Sequence, residues 1–436
     1  MSTSHSTEGL KRVVGVSGLA LTIVNGVIGS GIFALPALIS MALGGFGIVA
    51  YIVCSIMLAS IMLCYAEIGS KISSSGGSYA YVDAAFGNYF SFIINCLYFF
   101  GWGILGSAAV MNILADSLTI LFPTLSNSYF RAILFFVLIG FMVSMNVRGT
   151  KQGVGMVQLV TIIKLFPLLC IIVFGIAQIK AENLHWDKIP SIKSFGDTTL
   201  VLFYAFAGFE TSLGVSGEFK NPKRTVPLGI FLGGTIILLV YMLLQMVTQG
   251  ILGDQIVLYK DAPLAAVAEK LIGPIGATIL LITATISCFG CVSADILATP
   301  RSLFAAANNG IFPKILGKVH PKFATPYWAI IVYGLSVFVF SISGGFKQLA
   351  VLASAAILLV YLAVILATIK MRNQQNESNE KTFKIPGGLL FPLIGIIAIL
   401  WLISSLTQWE FISTTLFIAC ISIIYILTKW YKKLYN

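Results

Sequence analysis

Apolar stretches long enough to cross a lipid bilayer recur along the whole chain, and this repetition limits the fold more than any motif does. They fall at about 14–40, 44–69, 88–121, 129–146, 154–178, 198–219, 227–252, 266–306, 326–343, 348–369, 388–406 and 411–428. A helix needs about 20 residues to cross the hydrocarbon, and only helices or closed barrels satisfy their backbone groups there. The expectation is an all-α membrane protein with twelve crossings. The first and eighth stretches exceed one crossing, so each must tilt, break or extend beyond the hydrocarbon. Composition agrees: 58% of the 436 residues are hydrophobic and 10% are charged, against about 25% charged in soluble domains. A disordered chain, a nucleic-acid-binding module and a small disulfide scaffold are excluded.

The net charge of +11 would ordinarily raise nucleic acid as a partner, but its placement explains it otherwise. With the N-terminus inside, 19 of the 27 Lys and Arg residues fall on the cytoplasmic side, among them Lys11, Arg12, Lys71, Arg148, Lys151, Lys220, Lys223 and Arg224. Seven fall outside, including Arg131, Lys188, Lys260 and Lys270, and Lys164 lies within a stretch. This is the positive-inside pattern, and it places both termini in the cytoplasm. No cleavable leader is expected, because the polar start runs straight into a stretch with its own break. The seven cysteines all sit in apolar stretches and read as small core residues. Cys288 and Cys291 have CxxC spacing, but no second pair accompanies them. His5, His185 and His320 lie in loops or tails, so no histidine-based catalytic centre is expected. Paired carboxylates and metal-ligand clusters are likewise absent from the pattern, which argues against a membrane enzyme.

Two stretches carry polar, glycine-containing interruptions near mid-depth. The first reads Asn25-Gly-Val-Ile-Gly-Ser-Gly-Ile-Phe-Ala-Leu-Pro36. Gly29 lies about fifteen residues in, roughly 22 Å along a helix. Each glycine weakens the helix by up to about 1 kcal/mol relative to Ala, and Pro36 removes a donor from a following turn. If the helix opens here, the N–H groups of Ser30, Gly31 and Ile32 face the gap at the positive end of the next half-helix, a carboxylate site. The freed carbonyls of Val27 and Ile28 suit an ammonium group. Close packing through small residues explains the motif about as well. The sixth stretch reads Phe203-Tyr-Ala-Phe-Ala-Gly-Phe-Glu-Thr-Ser212, with Glu210 near the bilayer centre. A charge there costs about 2.5–3.5 kcal/mol on insertion scales, so it must face the interior with a partner or a proton. It serves function, or it caps backbone freed by the break. Interrupted helices in matching positions of two halves point to an inverted-repeat transporter.

Two further ionisable groups lie at membrane depth. Lys164 is about ten residues from the cytoplasmic end of the fifth stretch, roughly 15 Å in. Desolvation penalises its charge, and a lysine able to gain or lose a proton is a coupling device; the alternative is a lysine locked to a carbonyl. In the eighth stretch Ser287, Cys291 and Asp295 are spaced i, i+4, i+8 and form one stripe. Asp295 either meets a cationic substrate group, or pairs with Lys164 or a neighbouring hydroxyl.

Several segments in order resemble the amino acid–polyamine–organocation transporter superfamily: Asn25-Gly-Val-Ile-Gly-Ser-Gly-Ile-Phe33, Tyr65-Ala-Glu-Ile-Gly69, Ser75-Gly-Gly-Ser-Tyr-Ala-Tyr81, Phe206-Ala-Gly-Phe-Glu210, Lys220-Asn-Pro-Lys-Arg-Thr-Val-Pro227 and Asn309-Gly-Ile-Phe-Pro313. Bacterial amino acid permeases and the arginine/agmatine antiporter are similar proteins of this kind. The resemblance implies a LeuT-type 5+5 inverted repeat with twelve transmembrane helices, helices 1 and 6 broken. All of 1–436 would form one transmembrane domain, with repeats at 12–180 and 195–371 and two peripheral helices at 386–430. It implies that Ser30, Gly31 and Ile32 hold a substrate carboxylate, and that the carbonyls of Val27, Tyr204 and Ala207 hold the α-amino group. Trp102, Gly103 and Ser107 would line the side-chain pocket. Lys164 would take the place of a bound sodium, bridging a carbonyl near Gly26 and the hydroxyl of Ser287. Tyr204 falls about where the antiporter has a stacking tryptophan. Asp295 falls where the antiporter has an aromatic residue, and an acid there suggests a cationic side chain by charge pairing.

The implied activity is secondary amino acid transport by alternating access, as proton-coupled symport or exchange, with a lean toward cationic substrates. A neutral amino acid or polyamine carrier, or a non-transporting amino acid sensor, is the alternative. No cofactor or metal is expected. The partners expected are a small-molecule amino acid and the lipid bilayer, in a bacterial inner (plasma) membrane, and a homodimer is one assembly open to such a chain.

Overall fold

The computed structural model describes residues 14–72, 77–148, 153–186, 189–308, 312–323, 325–373 and 383–435. Lys11, Arg12, Lys151, Lys188, Ser75-Gly76 and Asn309-Gly-Ile311 lie outside them. The described residues are helical almost throughout, and their only β pairing is an isolated bridge between Val14 and Phe219. Each of the twelve apolar stretches is helical over most of its length.

In chain order the α-helices are α1 (Val16–Val27), α2 (Gly31–Leu43), α3 (Gly47–Lys71), α4 (Ser78–Phe86), α5 (Asn88–Cys96), α6 (Leu105–Leu121), α7 (Ser128–Arg148), α8 (Gly153–Gly175) and α9 (Ile192–Phe206). They continue as α10 (Pro222–Leu252), α11 (Pro263–Ile272), α12 (Pro274–Ala298), α13 (Pro300–Asn308), α14 (Tyr327–Ser343), α15 (Phe346–Asn373), α16 (Leu390–Ser404) and α17 (Gln408–Tyr435). Among the described residues, eight helical segments are long and apolar enough to cross a membrane, and α1, α14 and α16 are shorter apolar helices. The chain is therefore an all-helical, multi-pass membrane protein.

The two long stretches resolve differently. The first divides into α1 and α2 at Ile28-Gly29-Ser30. Pro36 does not end α2, which runs on to Leu43; lacking an N–H, Pro36 leaves the Ile32 carbonyl without its usual i+4 donor. The eighth breaks at Gly273, whose φ of +77° favours glycine, and Pro274 then opens α12. The third stretch stays continuous, but Leu97–Ile104 between α5 and α6 is π-helical, a local widening that often marks functional positions.

Burial sorts the helices by their surroundings. The most apolar window of α15 is 72% buried, that of Asn88–Leu121 67%, and that of α17 6%. Exposed Tyr129, Phe136 and Phe141 on α7, and Trp409 and Trp430 on α17, form apolar surface suited to lipid. At the C-terminal end of α3, Glu67 is fully buried. Arg372 of α15 pairs with both its carboxylate oxygens, Lys71 with Oε1 at 3.1 Å, and the Ile385 N–H donates to Oε2 at 3.0 Å. This network fastens α3, α15 and the segment leading to α16 together. Hydropathy gave no reason to single out Glu67, since its partner lies 305 residues away.

Candidate functional site

The two interruptions meet. α9 ends at Phe206, Ala207 is extended (ψ 159°), Gly208 has φ +117°, and a 3-10 segment follows over Phe209–Glu218. A Cβ on Gly208 would sit 3.0 Å from the Gly26 carbonyl oxygen, and one on Gly26 3.2 Å from that of Gly208. The main chains of the two openings thus cross in close contact; a Cβ at Gly26 would press the other chain aside by a few tenths of an ångström, and the φ of Gly208 favours glycine outright.

Opening a helix frees carbonyls that must find donors when buried, and four of them do. Asn25 O and Ile28 O accept the Lys164 ammonium at 2.8 and 2.6 Å. Val27 O and Ala205 O accept the Tyr241 hydroxyl of α10 at 3.2 and 3.0 Å. Val27 O also takes the Gly29 N–H at 2.8 Å, and it shares with Ala205 O the one hydrogen that the Tyr241 hydroxyl brings. The Tyr204 carbonyl loses its usual donor, because the Gly208 N–H turns to Glu210 Oε2 at 3.1 Å. On the donor side, the opening N–H groups of α2, at Ser30, Gly31 and Ile32, have no intrahelical partner. Ser30 is 1% exposed, and its Oγ has no hydrogen-bond partner among the described residues.

Lys164 is completely buried, and among the described residues it forms no ion pair. The resemblance implied a carbonyl near Gly26 and the Ser287 hydroxyl as its partners; Lys164 bonds carbonyls near Gly26 but not Ser287. It grips the carbonyls on either side of Gly26, and Ser287 Oγ approaches the same Ile28 carbonyl at 3.5 Å and that of Gly29 at 3.4 Å. The lysine and serine therefore meet at the first opening through a shared acceptor. Cys291 packs on that opening too, its Sγ 3.2 Å from the place a Cβ of Gly29 would take. Gly31 needs a different explanation. A Cβ there would lie 2.6 Å from Ala205 Cβ, so its missing side chain seats α2 on α9 and does not face the gap.

Glu210 caps backbone: besides the Gly208 N–H, its Oε2 accepts the Tyr361 hydroxyl at 2.5 Å. Its Oε1 is buried with no partner among the described residues. Asp295 pairs neither with Lys164 nor with any other cation among the described residues. Its Oδ2 meets Ser107 Oγ at 3.0 Å, Ser107 meets the Tyr333 hydroxyl at 2.9 Å, and Tyr333 donates to the Gly103 carbonyl at 2.8 Å. Between this cluster and the openings stand Trp102 and Tyr204, ring centres 5.6 Å apart, with Phe346 against the far side of Tyr204 at 5.7 Å. Tyr204 is anchored by donating to the Gly106 carbonyl at 2.8 Å. Trp102, Gly103 and Ser107 thus reach one locality from the π-helical stretch and the start of α6. Tyr241, Tyr333 and Phe346 carry no polar interruption or charge, so no sequence signal marked them.

Two opened helices thus meet, with the opening N–H groups of α2 on one side and the Tyr204 carbonyl, its usual Gly208 donor turned to Glu210, on the other. The amino acid permease family matches residues 14–428, and the chain belongs to it, within the amino acid–polyamine–organocation superfamily. It is 29% identical over 413 residues to the serine/threonine exchanger SteT of Bacillus subtilis, covering 90% of both chains. It is 25% identical over 465 residues to the methylthioribose transporter of the same organism, covering 100% of this chain and 97% of the relative. The b(0,+)-type amino acid transporter 1 of Mus musculus is 26% identical over 465 residues, with 99% and 91% covered.

Proposed function

We propose that the protein is a secondary amino acid carrier of the bacterial inner membrane, working by alternating access around the crossing of the two openings. Its twelve helices form a 5+5 inverted repeat, 12–180 and 195–371, with 386–430 peripheral and both termini cytoplasmic. The substrate carboxylate lies on the Ser30, Gly31 and Ile32 amides. Its α-amino group lies at the carbonyls of Tyr204 and Ala207, beside that of Val27. Trp102, Tyr204 and Ser107 bound the side chain. The single observation that supports this reading most is that both helices open where they touch, with the buried Ser30 Oγ left without a hydrogen bond among the described residues and the Gly208 N–H turned away from the Tyr204 carbonyl. Binding a zwitterion there neutralises both helix ends and favours closure.

Lys164 supplies the coupling. It holds the first opening in shape while charged, and losing its proton would weaken its hold on two carbonyls, because charge-assisted bonds become ordinary ones. Asp295, with Oδ1 making no hydrogen bond among the described residues, is placed to meet a cationic side chain, so lysine and arginine are the favoured substrates. The likeness to a serine/threonine exchanger favours a second reading, a small neutral amino acid carrier whose side-chain hydroxyl bonds Ser107 or Asp295. Proteoliposome counterflow with a panel of cationic and neutral amino acids and polyamines tests both. Counterflow of any amino acid supports the carrier, and the preferred charge separates the two readings. Binding without counterflow would make the protein a sensor, and binding of polyamines alone would remove the carboxylate site.

A further inference from the structure

The chain of contacts Asp295–Ser107–Tyr333–Gly103 contains three oxygen–oxygen hydrogen-bond distances, 3.0, 2.9 and 2.8 Å. Each needs one hydrogen. An ionised carboxylate and a carbonyl only accept, while a serine and a tyrosine hydroxyl bring one hydrogen each. Two hydrogens cannot fill three contacts. If Ser107 donates to Asp295 and Tyr333 to Gly103, the buried pair Ser107–Tyr333 stands oxygen to oxygen with nothing between, an arrangement that burial makes costly.

We propose that Asp295 carries the missing hydrogen when no substrate is bound, and exchanges it for the cationic side chain of an incoming amino acid. The carboxyl O–H then donates to Ser107 Oγ, Ser107 to the Tyr333 hydroxyl, and Tyr333 to the Gly103 carbonyl, so every contact is filled in one direction. When a lysine or arginine side chain arrives, the carboxylic acid becomes a carboxylate paired with the cation, and one proton leaves to water. The local charge is zero before and zero after, so no unpaired charge is ever buried. Ser107 then turns its hydrogen to the carboxylate, and Tyr333 turns its own from the Gly103 carbonyl to Ser107 Oγ.

No cation among the described residues pairs with Asp295. The titratable groups facing Asp295 are Cys291 on its own helix, Tyr98 of the π-helical stretch, Tyr204 of α9, Glu210 of the 3-10 segment and Tyr333 of α14. None is a cation, and Lys164 is engaged with Asn25 and Ile28. Because proton and cation compete for one carboxyl, such a site moves them in opposite directions. This inference rests on the amino acid carrier reading and names how that site would select charge.

The test is calorimetry of purified protein binding lysine, arginine, serine and citrulline, each in two buffers of different ionisation enthalpy. The difference between buffers counts protons released. At acid pH, lysine and arginine are expected to release about one proton per site, and their affinity to fall about tenfold per pH unit of acidification. Serine and citrulline, neutral in the side chain, are expected to release none. In Asp295→Asn, lysine binding should weaken and release no proton. Tyr333→Phe leaves Ser107 free to donate to the carboxylate, so its lysine affinity should respond less to acid; this second variant guards against an Asn form that does not fold. Lysine or arginine binding with no proton released, or release unchanged in both variants, overturns the proposal and leaves the carrier reading standing. Binding of no amino acid at all overturns the carrier reading and this inference with it.

Discussion

Replacing Lys164 by methionine isolates what its ammonium does, since methionine keeps an unbranched apolar stem in a fully buried place. Two carbonyls lose their donor, those of Asn25 and Ile28. A buried acceptor left unsatisfied costs about 1–3 kcal/mol, so the pair costs about 2–6 kcal/mol. Part of this is offset because the desolvation of an ammonium is no longer required. A net loss of about 2–4 kcal/mol is expected, read from denaturation of the purified protein in detergent. If the opening relaxes toward a closed helix, its donors turn away from the site, and losing about 2 kcal/mol of binding weakens amino acid affinity roughly 30-fold. Uptake of a neutral amino acid that remains in proteoliposomes should no longer follow an imposed pH gradient. A methionine variant with unchanged stability, affinity within about threefold and intact pH-gradient dependence would refute the reasoning.

Three further substitutions address neighbouring parts of the site. Tyr241→Phe strips the shared hydroxyl from Val27 O and Ala205 O, and should destabilise the protein by about 1–3 kcal/mol in the same denaturation assay. Gly208→Ala brings a Cβ to 3.0 Å from the Gly26 oxygen at a φ of +117°; strain of about 1–3 kcal/mol is expected, seen as a lower melting temperature or yield. Ser30→Ala removes a hydroxyl with no partner among the described residues, so stability should stay within about 0.5 kcal/mol while amino acid affinity falls by about tenfold, the worth of one hydrogen bond.

Hydropathy made the helical stretches legible because each one answers to a local rule, that backbone in hydrocarbon must bond to itself. The openings were legible for the same reason: three glycines between Gly26 and Gly31, and the pair Gly208 and Glu210, are unfavourable in a continuous apolar helix. Partners were not legible. Asn25 and Ile28 accept from Lys164, 139 and 136 residues away, and Val27 accepts from Tyr241, 214 residues away. Tyrosine is an ordinary membrane residue, so Tyr241 and Tyr333 gave no warning. Gly31 illustrates a subtler difficulty. A glycine beside a predicted binding amide reads as room for a ligand, and its neighbour turned out to be Ala205. The reading of Asp295 as a possible partner of Lys164 failed because the lysine had nearer acceptors at the first opening.

The contact between Gly26 and Gly208 also has a mechanical meaning. Side chains at a helix crossing act as compliant spacers, since rotamer changes absorb small displacements. Here backbone rests on backbone, at 3.0–3.2 Å from where a side chain would begin, so there is no cushion. Tilting the inner arm of one helix would swing the other about that point, as the blades of shears turn on a rivet, and the proposed cargo site lies beside the rivet, where a small rotation displaces bound atoms least.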